Sequence, residues 1–398
     1  MQTLLYFTMI ACLIFVTIAQ ASANSGYAQR EDVQAFIAAM QARHGLDAER
    51  LTALFEKTRP LASVLKAIAP PADPGIRSWQ NYRQRFIEPR RIAAGLDFWR
   101  KHQATLAKAK VLSGVPAEII VAIIGIETFY GRHLGRFDSF AALTTLAFDY
   151  PPRADLFRRE LEALLLLAQD EGRAPDSYRG SFAGAIGLPQ FLPSSIRAYA
   201  VDFDRNGHID LVGSPADAIG SAANFLKEHG WVEGGPIAVR VNLGAGPSQA
   251  DVRSPVTAAG DFMGGSKPGL RAREGNKVGA GGTASAGSAA LPGTASAGSA
   301  ALPGTTHQTL LDEGILPRRR PAEMAGFGLE VPATAPDAPA ALIDLVTPAA
   351  PTEYWLGYQN FYVITRYNRS SFYAMTVFQF AQTLHERYLG YTMPTGFQ

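Results

Sequence analysis

Glu127 is the residue whose type and surroundings most clearly suggest chemistry. It follows a run without polar side chains, Ile119 to Ile126, and precedes an aromatic–glycine turn, Phe129 to Gly131. Burial beside such a run disfavours the ionised form of a carboxyl group and raises its pKa. A carboxylic acid that is still protonated near neutral pH can serve as a general acid. The alternative is a solvated residue at a helix end, and this segment alone leaves both interpretations open.

A second segment, Ser181 to Ser195, has residues suited to holding a sugar. Its glycines, Gly184 and Gly187, allow close backbone approach or unusual dihedral angles. Gln190 can both donate and accept hydrogen bonds, as recognition of a sugar amide requires. Ser181 alone would usually be a turn residue. Because no Gly-x-Ser-x-Gly elbow surrounds it, the sequence does not favour a serine hydrolase.

The stretch from Asp202 to Asp210 is similar to an EF-hand calcium loop. Oxygen ligands fall at loop positions one, three, five and nine, with Gly207 at six for the sharp turn and a carbonyl at seven. Position twelve is Gly213 where a bidentate glutamate is expected, which predicts weak binding of Ca²⁺ or Na⁺. The alternative is a turn that binds no metal. The candidate ligands are Asp202, Asp204, Asn206, His208 and Asp210.

Several motifs in a fixed order resemble those of the B-type lytic murein transglycosylases, a lysozyme-like family of membrane-bound and soluble enzymes that cleave peptidoglycan. The resemblance extends from about Tyr27 to Tyr388, apart from one insertion. It implies an α+β fold, mainly α, in which a lysozyme-like helical catalytic core joins an N-terminal helical region and a small antiparallel β subdomain. Members of the family also carry a calcium loop. The motifs are the segments around Glu127 and Ser181, then Asn224 to Trp231, Tyr354-Trp355, and Asn360 to Asn368.

The resemblance also implies a mechanism in which one glutamate, here Glu127, acts alone and no cofactor is required for the chemistry. The acid protonates the glycosidic oxygen between N-acetylmuramic acid and N-acetylglucosamine, assisted by the N-acetyl group of muramic acid. The resulting carboxylate then deprotonates the muramic acid 6-hydroxyl. That hydroxyl closes a 1,6-anhydro ring without consuming water. The residues matched to substrate binding are Ser181, Gln190, Tyr82, Arg153, Tyr367, Asn368 and Tyr373. For Tyr367 and Tyr373, ordinary core packing is the alternative.

Two other functions stay open at this point. A hydrolytic muramidase would need a second carboxylate to activate water. Three candidates for that carboxylate, Asp138, Asp149 and Asp155, lie in sequence typical of helices and turns, so none is convincingly placed for the role. Glu118 lies in the first turn of the Glu127 helix, where favourable interaction with the helix dipole explains an acidic residue. The other alternative is a lysozyme-like protein that binds glycan without cutting it. The presence of the candidate acid, Glu127, disfavours this alternative.

Composition and the N-terminal segment indicate where the protein acts. The net charge of +2 creates no strong field for nucleic acid, so we expect the protein to bind glycan strands and not nucleic acid. We also expect a monomer, and any cell-wall enzyme partners are unspecified. The apolar run from Leu4 to Ala19 ends in small residues and predicts a signal peptide, 1–23, although it lacks a preceding Lys or Arg. An uncleaved anchor is the alternative. Cys12, the single cysteine, is poorly placed for lipoprotein attachment. We therefore expect a soluble periplasmic enzyme.

The remaining elements are assigned from periodicity and composition. Helical patterns predict an N-terminal region over 27–112 and the catalytic core over 113–235, and the stretch from Gly95 to Ser113 is predicted as one helix. Alternating residues predict strands in a β subdomain over 236–352, interrupted by an insertion of small residues (about 275–306) with a tandem duplicate that predicts disorder. The C-terminal segment, 353–398, is predicted to return to the core with a strand at Tyr362 to Thr365 and a last helix.

Overall fold

The computed structural model describes residues 26–69, 78–244 and 306–392. Helices dominate, and the strands form one two-stranded and one four-stranded antiparallel sheet. The predicted fold class, mainly α with a small β subdomain, is confirmed. The predicted signal peptide and the insertion lie outside the described residues.

The N-terminal helices form where capping residues and apolar spacing allow. After a short 3₁₀ turn at Tyr27–Gln29 they are α1 (Glu31–His44), α2 (Ala48–Lys57), α3 (Ala62–Ile68), α4 (Trp79–Phe86), α5 (Pro89–Lys101) and α6 (Gln103–Ser113). The side chains of Asp47, Ser78 and Glu88 accept backbone N–H groups at the starts of α2, α4 and α5. The single helix predicted from Gly95 to Ser113 is wrong, because the backbone breaks at His102 (φ −113°, ψ 23°) between α5 and α6.

The helix that carries Glu127, α7 (Ala117–Thr128), lies in the centre of the main core. Ile119 to Ile126 are all buried, as the apolar run predicts. It packs against α5 and against the C-terminal helix α15 (Ser371–Thr392). A Cβ on Gly125 would lie 2.4 Å from the Tyr130 hydroxyl and 3.1 Å from the Phe380 ring. Glycine at this position therefore permits the close approach of the following turn and of α15.

The rest of the core follows α7 in sequence. Strands β1 (Phe137–Asp138) and β2 (Arg179–Gly180) pair antiparallel, and four helices lie between and after them, the last of which packs against α7. They are α8 (Ser139–Asp149), α9 (Ala154–Asp170), α10 (Pro193–Tyr199) and α11 (Pro215–Glu228), with 3₁₀ turns at Pro151–Arg153 and Pro175–Ser177.

A four-stranded sheet forms the β subdomain, with strand order β4–β3–β6–β5. Alternate residues of β5 face different cores. Ala341, Ile343 and Leu345 join the main core, while Leu342 joins a smaller cluster with Val241 and others. The strands are β3 (Ala238–Leu243), β4 (Leu329–Glu330), β5 (Ala341–Leu345) and β6 (Glu353–Gly357), accompanied by α12 (His307–Asp312) and α13 (Pro321–Ala325).

The chain returns to the core through α14 (Gln359–Tyr367) and α15. The strand predicted at Tyr362 to Thr365 is wrong, since this stretch belongs to α14. Its buried residues recur at helical spacing where α14 packs against α11 and α15. Within the described residues, no single helix is long and apolar enough to span a membrane. The helices α6 and α7, which are bent by 113° relative to each other, meet the length and composition criteria only when they are taken together.

Candidate active site

Glu127 lies in the last turn of α7 and faces α15. The Tyr373 hydroxyl donates a hydrogen bond of 2.6 Å to Glu127 Oε1. Burial raises the pKa of Glu127 to about 7, and the hydrogen bond from Tyr373 opposes the rise. A large fraction of the carboxyl groups is therefore protonated at neutral pH. This is the state that a general acid needs.

Three tyrosines surround the carboxyl group. The Tyr367 and Tyr373 rings lie nearly parallel, with centroids 6.4 Å apart. Burial, and then the nearby Glu127 carboxylate, raise the pKa of both hydroxyls well above 10. The same two causes raise the pKa of Tyr82 to about 12. All three therefore remain neutral at physiological pH, and each hydroxyl can donate a hydrogen bond.

The turn after Glu127 is strained. Phe129 and Tyr130, two residues with side chains, both have left-handed dihedral angles, with φ of 52° and 58°. Thr128 holds this turn in place: its buried hydroxyl accepts from the Gly131 N–H at 3.1 Å and shares its proton between the carbonyl oxygens of Leu188 at 3.1 Å and Ile124 at 3.2 Å. Backbone strain of this kind persists only when surrounding contacts enforce it, and it is concentrated at functional sites.

The Ser181 to Gln190 segment is joined to the Glu127 turn through Leu188. Ser181 Oγ accepts the N–H groups of Ala183 and Ala185, so its own proton is free to be donated. Gln190 has φ 49°, and its amide nitrogen donates to the carbonyls of Leu134 and Gly187. Its amide oxygen has no donor among the described residues and is available as an acceptor.

Tyr367 connects this segment to the C-terminal helices, because its hydroxyl donates to the Pro189 carbonyl at 2.5 Å. The contacts thus bring together five of the predicted residues. These are Glu127, Tyr373, Tyr367, Tyr82 and Gln190, with Ser181 in the same loop as Gln190.

The other two predicted substrate-binding residues lie at the surface. Arg153 is exposed at the start of α9, where its guanidinium lies 5.3 Å from the centroid of the Phe157 ring. Asn368 is exposed at the C-terminus of α14, one residue after Tyr367. No contact in the described part of the chain joins either side chain to Glu127, and their assignments remain predictions.

The EF-hand-like loop lies beside the catalytic segment, since the Leu188 N–H donates to the Leu211 carbonyl at 2.8 Å. Asp202 accepts from the N–H groups of Asn206 and Gly207, and the Gly207 bond is the main cause that lowers the pKa of Asp202. The Asn206 side chain accepts from the His208 N–H, and the Asp210 side chain accepts from Val212 and Gly213. These bonds give the loop its turns.

One carboxylate of this region, that of Asp217, was not among the ligands predicted from the sequence. Carboxylate oxygens of Asp202, Asp204 and Asp217 lie within 4.8 Å of one another. Asp217 is buried at the start of α11 and accepts N–H groups from Phe203, Asp204 and Asp210. The Ser214 side chain caps α11 by accepting the Asp217 N–H, whereas the Asp217 side chain faces the loop. In the sequence, Asp217 is an acidic residue in the first turn of a helix, where interaction with the helix dipole is the ordinary explanation.

The arrangement can perform proton transfer with a single carboxyl group. Burial and the Tyr373 hydrogen bond account for the pKa of Glu127, and within the described ranges no second carboxylate contributes to it. Glycosidases that activate water commonly place two carboxyl groups about 5–9.5 Å apart across the bond. One half-buried acid among neutral hydroxyl donors, in a mainly helical core, is the arrangement that the sequence predicts for a lysozyme-like enzyme.

Comparison with known proteins agrees with this class. The family model described as Transglycosylase SLT domain matches residues 28–297 and 292–382. The chain is 36% identical over 367 residues to the membrane-bound lytic murein transglycosylase B of Escherichia coli K12, covering 90% of this chain and 84% of the relative. The chain therefore belongs to the transglycosylase SLT domain family, and the resemblance inferred from its motifs is confirmed.

Solved structures are similar over most of their length. Soluble lytic transglycosylase SltB1 of Pseudomonas aeruginosa is 38% identical with a TM-score of 0.68, over 89% of this chain and 99% of that one. Slt35 of Escherichia coli, solved in complex with calcium, is 35% identical with a TM-score of 0.67, over 91% and 95%. SltB3 of Pseudomonas aeruginosa, in complex with NAG-NAM-pentapeptide, is 25% identical with a TM-score of 0.62, over 89% and 79%.

Proposed function

We propose that this chain is a peptidoglycan lytic transglycosylase that cleaves the β-1,4 bond between N-acetylmuramic acid and N-acetylglucosamine without water. The observation that carries the proposal is the Glu127 carboxyl group, whose pKa burial raises to about 7 and which accepts a hydrogen bond from Tyr373. Membership of the family and the names of its relatives support the substrate class.

Glu127 serves both half-reactions. Protonated Glu127 gives its proton to the glycosidic oxygen, and the bond to the anomeric carbon of muramic acid breaks as the N-acetyl oxygen assists. The carboxylate then takes the proton of the muramic acid 6-hydroxyl, whose oxygen bonds to the anomeric carbon as the N-acetyl oxygen leaves it. This leaves Glu127 protonated again and the product as a 1,6-anhydro sugar. A pKa near neutrality suits a group that must lose and recover a proton in one cycle.

The neutral donors around Glu127 fit a glycan ligand. The Tyr373 bond to Oε1 leaves Oε2 as the oxygen that transfers the proton. The free proton of Ser181 and the amide oxygen of Gln190 suit the hydroxyl and amide groups of a sugar. Asn368 and Arg153 are the more peripheral candidates for sugar and peptide contacts. Because both are exposed, their substitution should weaken binding more than it slows the chemical step.

Analysis of the products tests the proposal. Purified peptidoglycan digested with the protein should give muropeptides one water lighter than those of a hydrolytic muramidase. Glu127→Gln should lose activity by at least the upper end of the 10²–10⁴-fold typical for general acid–base catalysis. Products with reducing ends would indicate the muramidase alternative. Binding without any products from the wild-type protein would indicate a glycan-binding protein.

We also propose that the EF-hand-like loop holds Ca²⁺ in a structural role. The approach of the carboxylates of Asp202, Asp204 and Asp217 fits a hard cation that prefers oxygen ligands. Asn206, Asp210 and the His208 carbonyl remain candidates for the rest of the shell. A calcium complex of the relative Slt35 supports the choice of metal. Thermal melting with and without calcium tests this proposal.

We propose a periplasmic location on the basis of the apolar leader and its small-residue end. The proposed action on peptidoglycan requires export from the cytoplasm, which agrees with this location. N-terminal sequencing of protein recovered from the periplasm of a Gram-negative host should find a chain beginning near residue 24. An intact leader in the recovered protein would contradict cleavage.

A further inference from the structure

Tyr130 lies three residues after Glu127 in the strained turn, and its ring points back between two helices. A Cβ on Gly125 in α7 would lie 2.6 Å from Tyr130 Cζ, and a Cβ on Gly95 in α5 would lie 3.2 Å from the same atom. The Tyr130 and Phe98 ring centroids are 5.1 Å apart, which places an aromatic residue of α5 against the ring. We call the packing of Tyr130 on Gly95 and Gly125 the wedge contact.

Each residue of the wedge contact is locally unfavourable. Tyr130 has a left-handed φ of 58°, a conformation that residues with side chains rarely adopt. Gly95 and Gly125 lie inside helices, where glycine is less stable than alanine. The Tyr130 hydroxyl is also buried without a hydrogen-bond partner among the described residues. Unfavourable choices that converge on one contact indicate a requirement other than stability.

The C-terminal helix α15 reaches the wedge contact with the same face that carries Tyr373. Phe380 approaches Gly125, since a Cβ at that glycine would lie 3.1 Å from the phenylalanine ring. Leu384 approaches Gly95 in the same way, with 2.7 Å between a Cβ there and Leu384 Cδ2. Phe380 and Leu384 follow Tyr373 by seven and eleven residues, the spacing of one helical face, and all three are buried. The packing at the wedge contact therefore fixes how closely this face of α15 approaches α7.

The approach of α15 to α7 governs the hydrogen bond at the candidate active site. Tyr373 donates its 2.6 Å bond from α15 to Glu127 Oε1 on α7. A hydrogen bond forms only over a narrow range of distances and angles. A displacement of about 1 Å in a catalytic group can cost about 10²-fold in rate. A residue that spaces these two helices therefore acts on the reacting carboxyl group without touching it.

We propose that Tyr130 is a positioning residue whose ring spaces α5, α7 and α15 so that the Tyr373 hydroxyl meets the Glu127 carboxyl group. This inference rests on the proposed function and adds to it a residue that acts only through Glu127 and Tyr373. Because the ring and not the hydroxyl supplies the spacing, phenylalanine can replace Tyr130, whereas a flexible aliphatic residue cannot.

The test measures kcat and KM of folded variants on soluble peptidoglycan strands. Tyr130→Phe removes an unpartnered hydroxyl and should keep kcat within about twofold of the wild type. Tyr130→Leu, which is not β-branched and so adds little strain at the positive φ, should lower kcat by about 10- to 100-fold with little change in KM. Tyr130→Met, a long side chain without a rigid ring, carries the same prediction if Tyr130→Leu does not fold.

Phe140→Leu is the matched control for loss of a core aromatic ring. Phe140 is buried in α8 and packs against Phe55 of α2, with 5.1 Å between the ring centroids. Its loss should lower stability as a ring deletion does, but it should leave kcat nearly unchanged, because neither ring belongs to the helices that hold Glu127 and Tyr373.

A double-mutant cycle shows whether Tyr130 acts through Tyr373. Tyr373→Phe removes the hydrogen bond that Tyr130 is proposed to position. The loss of kcat caused by Tyr130→Leu should therefore be smaller in the Tyr373→Phe background than in the wild type, by at least about threefold.

Full activity in Tyr130→Leu and Tyr130→Met would overturn the positioning role, and so would an equal loss of kcat in Phe140→Leu. Losses that multiply in full in the double variant would contradict it too, because Tyr130 would then act independently of the hydrogen bond. A large loss in Tyr130→Phe would assign the effect to the hydroxyl and refute the role of the ring. All these results leave the proposed function intact, whereas a wild-type protein that releases no 1,6-anhydro products would overturn the function and the positioning role together.

Discussion

Replacing Glu127 by Gln should stabilise the protein, and by an amount that grows with pH. In the unfolded chain the carboxyl group titrates near 4.5, whereas burial raises its folded pKa to about 7. Between these values the folded state binds the proton more tightly, so stability falls as pH rises. Below pH 4.5 the carboxyl group is protonated in both the folded and the unfolded state, so it does not affect stability. Above pH 7 the folded state bears the full free-energy cost of holding Glu127 ionised.

The shift sets the size of the effect. From 4.5 to about 7 is 2.5 pH units. At about 1.4 kcal/mol per unit this gives an upper limit of about 3.5 kcal/mol. The side chain is partly exposed, so we expect about 1–3 kcal/mol of added unfolding free energy at pH 8 in Glu127→Gln. The neutral amide can still accept the Tyr373 hydrogen bond through its oxygen.

Urea unfolding at pH 4 and pH 8, followed by circular dichroism, measures the difference. Glu118→Gln is a control on the same helix: Glu118 lies in the first turn, 3.4 Å from His385, and its loss should lower stability by removing a favourable charge. If the stability gap between wild type and Glu127→Gln is the same at both pH values, the carboxyl group does not have a raised pKa, and the reasoning from burial fails.

Three further perturbations probe the surroundings of Glu127. Tyr373→Phe removes a hydrogen bond that lowers the pKa of Glu127, so the fall in kcat/KM at alkaline pH should move to higher pH; no movement would contradict the contact. Thr128→Val should lower unfolding free energy by about 1 kcal/mol and reduce kcat, with Thr128→Ser restoring both, because the hydroxyl links the turn to Leu188. Millimolar calcium should raise the melting temperature of the wild type but not of Asp204→Ala, which should still cut glycan; a calcium shift in both proteins would place the ion elsewhere.

Features encoded within one segment were predictable from the sequence. The apolar run before Glu127 predicted both a buried helix and a raised pKa, because burial of that helix also takes the carboxyl group at its end out of water. Strand-like patterns between residues 236 and 352 likewise predicted the β subdomain that contains β3 and β5.

Features that depend on tertiary contacts were not predictable from local pattern. Tyr373 donates to Glu127 across 246 positions in the chain, and only resemblance to a family pointed to that tyrosine. Tyr362 to Thr365 is rich in strand-forming residues, yet packing against α11 and α15 selects a helix. Asp217 lies beyond the twelve-residue loop pattern and approaches Asp202 only because α11 folds back onto the loop.

The central claim is that Glu127 acts as both acid and base and that no water enters the product. Digestion of peptidoglycan in water enriched in heavy oxygen tests it most directly, because a hydrolase places solvent oxygen at the new reducing end. The account predicts that wild-type products contain no heavy oxygen and end in 1,6-anhydro-muramic acid, and that Glu127→Gln releases almost none. Heavy oxygen in the products, or undiminished release by Glu127→Gln, would contradict it.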